Sequence, residues 1–157
     1  MKKIGLLFGS FNPLHNGHIM LAAAAKTDVP LDEVWFVVQP ENSYKPTFEF
    51  IDYEARKKLI IASGEQLFVP ATNDYDHYVL QTLKELSEYD LTLILGEDLS
   101  ANFPYWEDYH EIKKLTQVYQ SHRIDDISSG VIRDRLQAGE SIADLVPHSV
   151  RDYLAQL

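Results

Sequence analysis

The chain has 157 residues, a formal net charge of −10 at pH 7 and no cysteine. This length is typical of one domain with a sizeable core, so we expect a single domain over residues 1–157. The excess of 24 Asp and Glu over 14 Lys and Arg argues against a broad surface for nucleic acid or anionic membrane, and the lack of cysteine excludes disulfides and thiolate metal sites. No apolar run reaches transmembrane length, and we expect a cytoplasmic protein.

Apolar runs rich in β-formers alternate with helical patterns along the chain. The predicted strands are Lys3–Phe8, Glu33–Gln39, Leu67–Pro70, Leu91–Leu95 and Gln117–Gln120, and the predicted helices are Gly17–Lys26, Tyr53–Ser63, His77–Glu88, Trp106–Leu115, Ser129–Gln137 and Ser149–Gln156. This alternation predicts a single Rossmann-like α/β domain, with a doubly wound parallel sheet of about five strands and helices on both faces. Such sheets bind ligands at the carboxyl ends of their strands, near the point where strand order reverses.

The first predicted strand runs directly into a segment that suits an anion. It reads Gly9-Ser10-Phe11-Asn12-Pro13-Leu14-His15-Asn16-Gly17-His18, and a run of strong helix formers follows. A helix start offers N–H groups and a partial positive charge, which suit phosphate. His15 and His18 are three residues apart, so both rings can point at one anion. A single histidine at a helix start is more often a cap, but two beside Gly and Pro favour a phosphate site.

A second anion-binding segment is predicted from Asp125 to Arg135. Ser128 or Ser129 is a natural N-cap, and Arg133 lies about one helical turn beyond Ser129. Two hydroxyls, a helix N-terminus and a guanidinium can together bind a terminal phosphate. An ordinary capped surface helix explains the same residues equally well on this segment alone.

Both segments match signatures of one family. The pattern Gly-x-Phe-x-Pro-x-His-x-Gly-His, at Gly9, Phe11, Pro13, His15, Gly17 and His18, resembles the signature of the nucleotidyltransferase superfamily of adenylyl and cytidylyl transferases. The pattern Ile-Ser-Ser-x-x-Ile-Arg, at Ile127, Ser128, Ser129, Ile132 and Arg133, is similar to its second signature, although Gly130 stands where the family usually has Thr or Ser. The resemblance implies transfer of a nucleotidyl group from a nucleoside triphosphate to a phosphate, with release of pyrophosphate.

The resemblance also implies roles for individual residues. His15, His18, Lys45 and Arg133 are the expected catalytic residues, with the histidines at the pentavalent centre and Arg133 on the leaving pyrophosphate. The residues expected to bind ATP are Gly9, Ser10, Phe11, Gly17, Gly96, Asp98, Arg123, Ile127, Ser128 and Ser129. The residues expected to bind the acceptor are Asn12, Lys45, Arg56, Tyr78, Thr82 and Trp106. For Lys45 a solvated loop lysine is the simpler interpretation, and for Arg56 a structural salt bridge.

The acceptor is suggested by a further resemblance. Gly96, Asp98 and Trp106 match a pattern of the nicotinate mononucleotide adenylyltransferase branch, and a tryptophan there can stack on a pyridine ring. A core aromatic is the alternative role for Trp106. In the segment from Asp76 to Leu83, Tyr78, Thr82 and Leu83 match that branch, whereas His77 and Val79 replace its hydroxyl residues. This departure leaves the choice between nicotinate and nicotinamide open.

The expected substrates are therefore ATP, with Mg²⁺ as a bridge between phosphates and no dedicated protein metal site, and a pyridine mononucleotide. We expect no nucleic-acid or membrane partner. Two alternatives remain open from the sequence: a phosphopantetheine adenylyltransferase, and a nucleotide-binding sensor without turnover. The sequence does not determine the oligomeric state, and a homo-oligomer is one option. It also leaves open whether ATP or another triphosphate is used, and whether the loop at 40–52 closes over substrate.

Overall fold

The structure is a computed structural model that describes residues 1–40, 51–120 and 129–156, except for the side chains of Glu97, Asp98 and Ser129. Strands and helices alternate along these ranges. The strands are β1 (Lys3–Gly9), β2 (Glu33–Val38), β3 (Gln66–Leu67), β4 (Asp90–Leu95) and β5 (Gln117–Gln120). The helices are α1 (Asn16–Asp28), α2 (Tyr53–Ala62), α3 (Tyr78–Glu85), α4 (Glu97–Asn102), α5 (Tyr109–Leu115), α6 (Ser129–Gln137) and α7 (His148–Leu154), with 3₁₀ turns at Tyr75–His77 and Phe103–Tyr105.

The five strands form one parallel sheet in the order β3-β2-β1-β4-β5. The chain leaves β1 towards β2 and β3, and then returns to the other side of β1 to add β4 and β5. Strand order therefore reverses between β1 and β4, which is where open parallel sheets bind their ligands. The predicted doubly wound α/β fold is confirmed.

Side chains of the sheet alternate between two apolar clusters, one on each face. In β1, Leu7 faces one cluster while Leu6 and Phe8 face the other. The first cluster also contains residues of α1, α2, α6 and α7, and the second contains residues of α3 and α5. Because both faces are covered by helices, the central strands are apolar along nearly their whole length.

The main difference from the predicted elements lies after β4. The sequence predicts one helix over Trp106–Leu115, whereas the chain forms α4, then the 3₁₀ turn Phe103–Tyr105, and begins α5 only at Tyr109. Pro104 lies within the 3₁₀ turn, where its missing N–H ends the helical hydrogen bonding of α4. Strand β3 is also shorter than predicted, because it pairs with β2 only at Gln66 and Leu67.

Among the residues that the structure describes, no helix has both the length and the apolar character needed to cross a membrane.

Candidate active site

The turn that carries the two predicted histidines lies at the carboxyl edge of the sheet. Strand β1 ends at Gly9 and continues into the turn that carries the two histidines, while β4, its neighbour, ends at Leu95 and is followed by Gly96. A Cβ placed on Gly96 would lie 3.6 Å from Leu21 of α1, so the end of β4 and the first helix are close together. The place of the histidine turn, directly after the first strand, agrees with the sequence prediction.

The two histidines lie against each other at the start of α1. Their rings stack with centroids 3.7 Å apart and planes 20° apart. Nδ1 of His18 accepts a hydrogen bond of 3.1 Å from the backbone N–H of His15. In the neutral ring the proton therefore sits on Nε2, which makes that nitrogen a donor. An Nε2–H donor can stabilise negative charge on a phosphate oxygen without any prior proton transfer.

The turn before the histidines has an unusual backbone. Phe11 is a non-glycine residue with a φ of 50°, its side chain is buried, and the Asn12–Pro13 peptide bond is cis. The Phe11 ring packs edge-on against the His18 ring at 4.7 Å between centroids. A left-handed non-glycine residue costs free energy, so surrounding contacts must stabilise it, and such residues are frequent at functional sites.

Arg133 brings the second predicted segment to this turn. Its Nη1 donates to the carbonyl oxygen of Asn12 at 2.8 Å, across 121 residues of sequence. The side chain of Asn12 is also bonded, because its Oδ1 accepts from the backbone N–H of Ile51 at 2.9 Å. The structure thus joins the two segments that the sequence analysis had treated as separate anion-binding features.

The first amides of α1 are partly used within the protein. The N–H of Asn16 donates to the carbonyl oxygen of Leu145 at 2.8 Å, and that of His18 donates to His15 at 3.1 Å. The side chain of Asn16 adds a bond to the carbonyl oxygen of Asp144 at 3.2 Å. A phosphate would therefore find fewer available amides at this helix start than the sequence predicts, and more of its binding must come from side chains.

Arg56 is buried beneath the turn, with 2% of its surface exposed. Its Nη1 donates to the carbonyl oxygens of Ser10 at 2.7 Å and Gln39 at 3.0 Å, and its Nε donates to that of Ile51 at 2.9 Å. The salt bridge suggested as an alternative role of Arg56 is not tested by these three bonds. Acceptor binding by Arg56 stays a prediction.

Two further predicted acceptor residues are buried in α3. The Tyr78 hydroxyl donates to the carbonyl oxygen of Val38 at 3.4 Å, and burial raises the pKa of this hydroxyl, which keeps it protonated. The Thr82 hydroxyl is fully buried and donates to the carbonyl oxygen of Tyr78 at 2.6 Å. Tyr78 thus reaches the carboxyl end of β2, whereas Thr82 is bonded within its own helix. Acceptor contacts by both stay predictions.

Trp106 packs against the second apolar cluster, which also contains Tyr78. It is partly buried and packs edge-on against Phe103, with ring centroids 5.1 Å apart. Two residues later, Asp108 accepts from Nδ1 of His77 at 2.8 Å, and this hydrogen bond raises the pKa of His77. The bond joins the segment before α5 to the segment before α3, the two places where the acceptor is expected.

Several predicted residues fall outside the described part of the chain. Lys45 lies within residues 41–50, and the other three lie within residues 121–128: Arg123, Ile127 and Ser128. Asp98 is described only as a backbone position of α4, and Ser129 only as the first residue of α6. Their roles stay predictions.

Four residues with contacts in or beside this site were missed by the sequence analysis. Asp108 bonds to His77, and Asn16 bonds to the C-terminal segment. The backbone of Leu145 bonds to α1, and that of Ile51 bonds to the turn. Leu145 and Ile51 act through backbone atoms, which no side-chain pattern can reveal. For Asp108, its position two residues after the tryptophan was the available signal.

The chain is similar in sequence to a known family and to named proteins. A family model described as cytidylyltransferase-like matches residues 6–147. A protein of Flavobacterium johnsoniae named "Probable nicotinate-nucleotide adenylyltransferase" is 28% identical over 97% of this chain and 95% of its own length. One of Cytophaga hutchinsonii with the same name is 31% identical over 81% of this chain and 71% of its own.

The fold also matches a solved structure. The crystal structure of a candidate nicotinate-nucleotide adenylyltransferase from Vibrio parahaemolyticus superposes with a TM-score of 0.75, covering 99% of this chain and 93% of that one, at 23% identity. At that identity the superposition shows a shared fold.

Proposed function

Because this chain belongs to the cytidylyltransferase-like family, we propose that it transfers AMP from ATP to nicotinate mononucleotide and releases pyrophosphate. The observation that supports this most strongly is the stacked His15–His18 pair, with Nδ1 of His18 bonded to the backbone and Arg133 bonded to the same turn. The names of the Flavobacterium and Cytophaga relatives support the same acceptor.

The reaction needs positioning and charge stabilisation more than proton transfer. An oxygen of the acceptor's phosphate, already anionic, attacks the α-phosphorus of ATP, and the bond from that phosphorus to the β-phosphate oxygen breaks. His18 would donate from Nε2 to a non-bridging oxygen of the α-phosphate as negative charge builds there. Arg133, next to the turn, would stabilise the departing pyrophosphate, and its planar guanidinium suits phosphate oxygens.

Magnesium would enter with ATP as part of the substrate. In the described ranges, no group of three or more histidine and carboxylate residues could hold a metal ion. Mg²⁺ is commonly bound mainly by phosphate oxygens and water, and binding of that kind is part of the proposal. A cytoplasmic location, where ATP is available, belongs to the same proposal.

The acceptor would bind between the start of α3 and the segment before α5. Trp106 offers a flat ring for the pyridine, and His77 lies on the facing segment, bonded to Asp108. Lys45 is proposed to neutralise the acceptor's phosphate, in line with the family resemblance.

The test is pyrophosphate release with ATP and Mg²⁺, using nicotinate mononucleotide, nicotinamide mononucleotide and phosphopantetheine in parallel. We expect fast release with nicotinate mononucleotide. Release with phosphopantetheine alone would replace the proposed acceptor. If ATP binds in calorimetry but no acceptor gives pyrophosphate, the chain is a nucleotide sensor and the proposal is wrong.

A further inference from the structure

Arg56 connects three segments that meet at the site. Its guanidinium bonds to Ser10 in the turn after β1, to Gln39 just after β2, and to Ile51 just before α2. The N–H of Gln39 in turn donates to the carbonyl oxygen of Gly9 at 2.8 Å. One buried side chain thus bonds to backbone on both sides of the 41–50 segment and to the turn itself.

We propose that Arg56 is a positioning residue, which sets the orientation of the His18 ring by bonding to the carbonyl oxygen of Ser10. The inference rests on the proposed function, since it assigns Arg56 a role in that same reaction. It replaces the acceptor contact that the family resemblance implies for Arg56 with an action through the turn.

The connection from Arg56 to His18 passes through two adjacent residues, Ser10 and Phe11. Ser10 precedes Phe11, whose φ of 50° is one that non-glycine residues rarely adopt. The bond from Arg56 fixes the Ser10 carbonyl at 2.7 Å, and the bond from Arg133 fixes the Asn12 carbonyl at 2.8 Å. The residues before and after Phe11 therefore both have carbonyl oxygens that accept a hydrogen bond from an arginine. The centroid of the Phe11 ring lies 4.7 Å from that of the His18 ring.

The burial of Arg56 favours this role over contact with substrate. With 2% exposure, its side chain offers almost no surface to a ligand, and both Nε and Nη1 already donate to carbonyl oxygens. Bonds from a charged donor are stronger than neutral ones, and breaking them would leave buried carbonyls without partners. The rigid fork of an arginine reaches several acceptors at once, which a lysine ammonium cannot reproduce.

The kinetic test uses Arg56→Lys, with Arg151→Lys on α7 as a matched control. A positioning role predicts that Arg56→Lys lowers kcat by about tenfold or more, while KM for ATP and for the acceptor changes by less than about threefold. Arg151→Lys should leave kcat and both KM values unchanged. If Arg56→Lys raises the acceptor KM with kcat unchanged, Arg56 binds the acceptor and the proposal is wrong. Wild-type kinetics in Arg56→Lys would also overturn it.

A second test needs no turnover, so it separates this proposal from the choice of acceptor. Without substrate, the ring ¹⁵N signals of His18 should shift in Arg56→Lys but not in Arg151→Lys. Unchanged His18 signals in a folded Arg56→Lys protein would overturn the proposal.

If Arg56→Lys does not fold, the wild-type protein provides the measurement. The Nε–H proton of Arg56 should exchange slowly with solvent. When inorganic pyrophosphate or nicotinate mononucleotide is added, the chemical shift of this proton should change much less than that of the Arg133 Nε–H proton. Exchange as fast as that of Arg135, or a ligand-induced shift as large as that of Arg133, would contradict the positioning role.

Discussion

At the scale of single residues, the site depends on which nitrogen of His18 carries the proton. The backbone N–H of His15 occupies Nδ1 and leaves Nε2 as the donor. Because this bond comes from the backbone of His15, the chain itself holds the His18 ring in one orientation. This detail could not be predicted from the sequence, where the spacing of three indicates only a shared face.

His18→Ala should lower kcat by about 100-fold or more, because it removes a preorganised donor to the transition state. We expect circular dichroism to show an unchanged fold, since the ring lies at a turn and not in the centre of either apolar cluster. His110→Ala, at an exposed position on α5, is the control and should retain full turnover. Near-normal turnover in His18→Ala would contradict the proposed chemistry.

Two glycines near opposite ends of the central strands differ in how much room their surroundings leave for a side chain. A Cβ on Gly5 would lie 2.8 Å from side-chain atoms of both Ile94 and Leu31, whereas, among the described residues, one on Gly96 would meet Leu21 alone, at 3.6 Å. With a φ of −69°, Gly96 also has a backbone that any residue adopts. Neither the packing of the described residues nor the backbone geometry requires glycine at Gly96, so a bound nucleotide is the candidate reason.

We therefore predict opposite outcomes for the two Gly→Ala variants. Gly5→Ala should lower the stability by about 1–3 kcal/mol through overpacking and leave the KM for ATP unchanged in the folded fraction. Gly96→Ala should keep the melting temperature and raise the KM for ATP. Thermal melts and steady-state kinetics on both proteins check this pair, and an unchanged ATP KM in Gly96→Ala would remove Gly96 from the ATP site.

At the scale of elements, the part of the chain after β4 was the hardest to predict. The six residues of α4 are too few for an apolar period, and the 3₁₀ turn that follows has no helical spacing of its own. The sequence therefore suggested one helix beginning at Trp106, whereas Trp106 ends the 3₁₀ turn in an extended conformation. By contrast, β2, β5 and α6 could be predicted closely, because apolar runs or a serine cap mark their ends.

The bond between His77 and Asp108 joins α3 to α5 in a pH-dependent way. Asp108 raises the pKa of His77, with smaller effects of the same sign from the charges of Asp74 and Glu107. A group whose pKa is higher in the folded protein stabilises it fully below the unfolded value of about 6.5, and this contribution disappears as pH rises through the folded pKa.

Asp108→Asn should therefore lower the melting temperature at pH 5.5 and have little effect at pH 8.5. Exchange of Asp108 for Asn in a His77→Gln background should have no such pH-dependent effect, because the titrating group is absent. Thermal melts of the four proteins at both pH values make the comparison. A destabilisation that is equal at the two pH values would show that the ion pair contributes nothing to stability.

At the scale of the whole molecule, a single sheet separates the two apolar clusters. Trp35 and Trp106 both pack against the second cluster, while α7 packs against the first through Val150 and Leu154. The pattern of apolar strands could predict a sheet buried on both faces. It could not predict which helices cover which face, because that depends on the path of the chain between strands.

If both clusters unfold in one cooperative transition, a destabilising substitution in one cluster must shift the unfolding that is measured by a probe in the other. Leu154→Ala should lower the stability by about 2–5 kcal/mol, and tryptophan fluorescence should report the whole loss although both tryptophans lie on the opposite face. Urea unfolding followed by fluorescence and by far-UV circular dichroism provides the measurement. If fluorescence keeps its wild-type midpoint while circular dichroism shifts, the chain does not unfold as one cooperative domain.

The bonds from Arg133 to Asn12 and from Asn16 to Leu145 have a consequence for the protein during its synthesis. When the first 120 residues have left the ribosome, the nascent chain already contains all five strands of the sheet and both histidines. It still lacks the arginine and the carbonyl that bond to the turn and to the start of α1. The chain can thus begin to fold early, but the bonds to the turn and to α1 can form only after Arg133 and Leu145 have been translated.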